Sequence, residues 1–189
     1  MRFDGSGLEP GSLRTRVATL DALLHEHQTV LGIDYLPYRH HVYRMFNFCT
    51  WLVPLDGDQA ELVAIAAALH DIGIWTAGTF DYLEPSAAAA RSHLARIDRL
   101  EWTTALDTMI GKHHKVTALR DPADRLAEVF RRADWIDVSL GARSFGIPRR
   151  FIQLAYVQWP GLGFHLRLIR LMLSQARVHP LNPLPMVRL

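Results

Sequence analysis

Apolar residues recur along most of the chain at intervals of three, four and seven, and no stretch alternates in the manner of half-buried strands. From Ser12 to Leu31 the series Leu13, Val17, Leu20, Leu23, Leu24 and Leu31 predicts a first amphipathic helix, with Ser12 at its N-cap. A second begins near Pro37, carries Val42, Met45, Phe46, Cys49, Leu52 and Val53 on one side, and ends at Pro54 and Gly57. The third runs from Asp58 to His70 and Asp71 and stops around Gly73; it is apolar almost all round, which predicts a central, buried helix.

Ile74 to Leu83 reads as a loop. Pro85 and Ser86 then open a helix to about Ile97, and another runs from about Glu101 to Lys115. Asp121-Pro122 starts a helix carrying Leu126, Val129, Phe130, Ala133, Ile136 and Leu140, closed by Gly141. Two more are predicted from about Pro148 to Val157 and from Phe164 to Val178. The expected architecture is a single all-α domain over residues 12–178, preceded by a flexible leader (1–11) and followed by an extended Pro-rich tail (179–189).

Composition adds exclusions. At 189 residues with 49% apolar content, one core is the natural solution and disorder is excluded. Read over the whole chain, a formal net charge of +2 makes no electrostatic case for polymeric nucleic acid or for a membrane. The longest apolar run, Leu62 to Leu69, is far too short to span a bilayer. The opening residues lack the basic-then-apolar order of a secretory signal, and a single Cys, Cys49, cannot build a disulfide framework. A cytoplasmic location is expected; the oligomeric state is left open.

The candidate chemistry lies among ten histidines. His70 and Asp71 close the most apolar helix, where an imidazole and a carboxylate are costly unless something partners them, and a divalent cation would do so. Asp134 stands between Phe130 and Val138 on a helical stripe that should face inward, with Asp137 as its competitor; Asp137 could instead pair with an arginine. His41 precedes Val42 and Met45 on a helix that must pack against the third, with His40 as its competitor.

His41-Val42-Tyr43-Arg44-Met45, Ala68-Leu69-His70-Asp71-Ile72-Gly73 and Arg132-Ala133-Asp134 together resemble the HD-domain superfamily of metal-dependent phosphohydrolases, over roughly residues 35 to 140. The resemblance implies His41, His70, Asp71 and Asp134 as metal ligands. It also implies a phosphomonoester or phosphodiester substrate, a nucleotide among the candidates. The metal is divalent, with Mn, Mg, Co, Fe, Ni and Zn not distinguished.

Asp71 would accept a proton from water and His113 or His114 would protonate the leaving group, while Arg44, Lys112 and Lys115 would contact phosphate. The pair His113-His114 also resembles two-metal members of the superfamily, but those carry a further His where this chain reads Asp81-Tyr82-Leu83-Glu84-Pro85-Ser86. One metal per chain is therefore the first expectation, with His113 and His114 near the pocket mouth. Two metals completed by Glu84, Asp81 or His93 is the second. Two other functions remain in view: a di-iron oxygenase of a small polar substrate, and a non-catalytic module that binds a nucleotide or a protein.

Overall fold

A computed structural model describes residues 12–79 and 81–178, so the expected leader and tail lie outside the described residues. Within them the chain is helical and contains no strand. The helices are α1 (Ala18–Glu26), α2 (Gln28–Leu31), α3 (Tyr35–Leu52), α4 (Gly57–Leu69), α5 (Gly73–Thr76), α6 (Leu83–Arg96), α7 (Thr103–Lys112), α8 (Arg125–Val138), α9 (Arg149–Gln158) and α10 (Phe164–Val178).

The all-α expectation is met, and α4 is the buried centre: every side chain from Leu62 to Leu69 is buried. Its start is fixed by a capping box, in which the Gln59 amide N–H donates to Asp56 Oδ1 at 2.8 Å and the Asp56 N–H returns a bond to the Gln59 side chain. Around α4 pack α1, α3, α6 and α7, while α8 lies along α3 and α7. Because apolar side chains cover α4 all round, truncating one of them leaves a cavity on whichever side it faces; Ile65→Ala would cost about 2–5 kcal/mol.

Several boundaries differ from the pattern-based reading. Residues 12–17 are not helical, and the first helix is broken at His27, whose ring Nδ1 lies 2.9 Å from the Leu23 carbonyl. The stretch read as a loop after Ile74 contains α5 and the start of α6. Two helices also end early, α7 at Lys112 and α8 at Val138. Gly141, expected to close α8, lies in the turn just beyond its end, where with φ +78° its N–H donates back to the Ile136 carbonyl at 2.8 Å.

The turn after α4 is drawn tight against the start of α6. A Cβ on Gly73 would lie 2.5 Å from the Tyr82 carbonyl oxygen, and the Gly73 N–H donates to Ser86 Oγ at 2.9 Å. Only glycine permits that approach. It fixes the segment carrying Tyr82 against the turn that carries His70 and Asp71.

Candidate metal centre

Four elements meet in an otherwise apolar interior. α3 brings His41, the turn after α4 brings His70 and Asp71, the end of α7 brings His113 and His114, and α8 brings Asp134. Tyr38, one turn before His41, ties the second of these elements to the first: its hydroxyl donates to the Ala68 carbonyl at 3.0 Å and accepts the Asp71 N–H at 3.4 Å.

Three imidazoles are pinned from behind. His70 Nδ1 lies 2.9 Å from the Ala67 carbonyl and His113 Nδ1 lies 2.6 Å from the Ile110 carbonyl; a carbonyl only accepts, so both Nδ1 atoms carry the hydrogen. His41 Nδ1 donates to Asp137 Oδ2 at 2.6 Å. In the neutral ring this leaves Nε2 of each as a lone pair, and all three point to the same space.

His41 Nε2 stands 3.2 Å from His70 Nε2, so two lone pairs would confront each other unless a cation or a proton lay between them. Burial pushes His41 down to about 4 despite Asp137, which disfavours the proton.

The carboxylates complete the pattern. Asp71 Oδ2 is 3.2 Å from His70 Nε2, and Asp71 Oδ1 is 3.4 Å from His113 Nε2. Asp134 Oδ1 is 3.9 Å from His41 Nε2, and its Oδ2 is 3.6 Å from His114 Nδ1. Asp71 Oδ1, His113 Nε2 and Asp134 Oδ2 are buried atoms with no hydrogen-bond partner.

Orphaned polar atoms in an interior are expensive, and here they are the lone-pair atoms a metal ion takes up. The residues therefore fit a divalent cation. Burial pushes Asp134 up to about 8. Burial also works to raise Asp71, but its close contacts with the His70 and His113 imidazoles outweigh burial and hold that carboxyl well below the usual range.

The donor atoms fall into two overlapping groups. His41, His70 and Asp71 form one, and Asp71, His113 and His114 form the other; within each group the donor atoms lie within 4.8 Å of one another, and Asp71 belongs to both. Asp134 faces the two groups with one oxygen each. All four ligands expected from the sequence are thus brought together. His113 is fully buried and belongs to the centre itself, which corrects its expected place at the mouth. His114, with its side chain 20% exposed, is the wet edge.

Other expectations are corrected. Arg44 is fully buried and does not reach toward a substrate: its Nε and Nη2 clasp Asp137 at 2.5 and 2.8 Å, and its Nη1 donates to the Trp159 carbonyl at 2.7 Å. Asp137 is thereby held well below the usual carboxylate range against the effect of burial, and the Tyr156 hydroxyl adds a further bond at 2.9 Å. Its partner is not a surface arginine.

Lys112 is bound to Asp124 at 2.7 Å, and with Lys115 it lines a groove on the outer side of α7. His93 lies beside Arg96, Glu84 is paired with Arg91, and Asp81 is exposed. None of these three joins either donor group among the described residues.

Two participants take roles that were not read from the sequence. Asp137 orients His41 from behind, an arrangement in which a carboxylate fixes the tautomer of a ligating imidazole. Tyr82 is buried, its hydroxyl is hydrogen-bonded to His114 Nε2, and burial together with Asp71 pushes it well up. A bulky aromatic just ahead of the α6 start was the available signal.

Comparison of the chain with protein-family models, with curated proteins and with solved structures gives no match.

Proposed function

We propose that this protein is a divalent-metal-dependent phosphohydrolase acting on a small phosphomonoester or phosphodiester. The observation that carries the reading is the set of three back-pinned imidazoles aimed, with two orphaned buried carboxylates, into one space. The resemblance to the HD-domain superfamily supplies the reaction class.

When bound, a divalent ion at His41, His70, Asp71 and Asp134 supplies charge neutralisation for phosphoryl oxygens and a water of lowered pKa. Asp71, common to both donor groups, takes the proton released by the attacking water. Asp137 and Arg44 keep His41 in one tautomer and one orientation. At the wet edge, His114 and the Tyr82 hydroxyl form a hydrogen-bonded pair that holds a proton where the leaving oxygen departs. The apolar walls, including Phe164 stacked on His41 at 4.3 Å, exclude bulk water.

One ion per chain remains the preferred stoichiometry, with Asp71, His113 and His114 as a second place. That second group is the specific observation favouring the other reading, a di-iron oxygenase.

The test is elemental analysis of purified protein together with a screen of phosphate esters under Mn²⁺, Mg²⁺, Co²⁺ and Fe²⁺. Asp71→Asn is expected to lower ester hydrolysis by about a thousandfold or more while helicity is kept. Wild-type turnover by Asp71→Asn with metal bound would end the mechanism. Oxygen consumption without any ester hydrolysis would favour the oxygenase.

A further inference from the structure

The whole-chain charge that gives no case for a membrane divides unevenly. No Asp or Glu follows Asp137, and the last 52 residues carry seven arginines; everything before them is net acidic. Within that basic segment, α10 has one face on the bundle, with Phe164 buried and Leu168 and Leu171 packed against core residues.

Its opposite face is apolar as well. Leu166, Ile169 and Leu173 recur at i, i+3 and i+7 and are 51%, 51% and 56% exposed. Arg170 and Arg177 follow Leu166 and Leu173 by one turn on that side, and neither forms a salt bridge among the described residues. Arg167 is instead tied to Asp34 at 3.1 Å, which brings α10 against the turn carrying Ile33, a side chain 93% exposed.

An apolar stripe edged by unpaired arginines needs an occupant that is greasy in the middle and anionic at the rim. A second copy of the chain docked two-fold on this face would bring Arg170 and Arg177 of both copies together with no carboxylate to neutralise them. Nucleic acid would satisfy the arginines and leave the stripe wet. A bilayer surface with anionic headgroups satisfies both, and no helix of the described residues is long and apolar enough to cross one.

We propose that the outer face of α10 docks this protein on an anionic lipid surface, with Leu166, Ile169 and Leu173 entering the acyl boundary and Arg170 and Arg177 meeting headgroup phosphates.

The experiment is co-sedimentation of the full chain with vesicles of phosphatidylcholine alone and of phosphatidylcholine containing roughly one quarter phosphatidylserine. Binding is expected only with the anionic vesicles, falling several-fold as salt is raised from about 0.05 to about 0.3 M. Arg170→Glu/Arg177→Glu and Leu166→Ser/Leu173→Ser should each weaken it by at least about tenfold, because both contributions are removed independently.

Absence of binding to anionic vesicles, or equal binding to neutral ones, overturns the proposal. So does a wild-type dimer in analytical ultracentrifugation that Leu166→Ser/Leu173→Ser converts to monomer, since the face then belongs to a second copy. If a variant melts early, the lipid and salt dependence of the wild type alone decides.

Discussion

Asp134 and Asp137 lie one turn apart on α8, both fully enclosed, and could hardly be treated more differently. Around Asp137 every lone pair is used: Arg44 grips it with two bonds, His41 and Tyr156 donate to it, and the carboxyl is held far down. Around Asp134 one oxygen has no hydrogen-bond partner, and burial pushes the carboxyl up to about 8. A buried carboxylate that is fully bonded belongs to the scaffold. One left wanting is kept for something that arrives.

The sharpest way to break this contrast is to remove each group in turn. Asp134→Asn should abolish tight metal binding and lower activity by about a thousandfold or more, while the metal-free protein melts no earlier than wild type. Asp137→Asn should do the reverse in kind. It leaves the Arg44 charge buried and unpaired, so stability falls by about 3–5 kcal/mol, read from chemical denaturation. Metal affinity then drops by only about 10–100-fold, because His41 loses its orienting partner. If the two variants had the same profile, the distinction would collapse.

Metal addition sharpens the comparison further. Saturation at about 100 times the dissociation constant should stabilise wild type by about 2.7 kcal/mol, seen as a raised Tm, and should leave Asp134→Asn unmoved.

The two groups also predict opposite pH trends in metal-free protein. Asp134 has a folded pKa of about 8 against about 3.9 unfolded. Its contribution is therefore present below about pH 4 and is lost as pH rises toward about 8. Asp137 is depressed on folding, so its contribution is present above about pH 4 and is lost on acidification. Saturating metal should flatten the first trend and leave the second, which melting curves from about pH 2 to about pH 9 would reveal. The smallest effect belongs to Lys112→Ala: its pair with Asp124 is partly exposed at the Lys112 end, so stability should change by less than about 1 kcal/mol and KM for the best ester should stay at the wild-type value.

Much of the fold was legible because its strongest pattern is local. The run Leu62 to Leu69 announces a buried helix whatever surrounds it, and His70-Asp71 at its end announces an anomaly. Where the deciding partner is remote, the sequence is silent. Arg44 stands one turn beyond His41 and invites a role in phosphate binding, yet its charge is spent on Asp137, 93 positions away. The same pairing separates Asp137 from Asp134, which share an inward face and a residue type. His113 and His114 differ in how far each is covered by neighbouring elements, and adjacency in sequence conceals that.

The donor atoms come from positions 41, 70, 71, 113, 114 and 134, on helices that meet only when the bundle has closed. During biosynthesis no short segment can capture an ion on its own, in contrast to small metal-nucleated domains whose ligands are neighbours in sequence. A chain that holds an ion there, as proposed, would complete its apolar packing first and receive the ion afterwards, through the edge at His114. The choice among competing ions would then be made by a finished cavity, where ionic size and coordination preference act against walls already set.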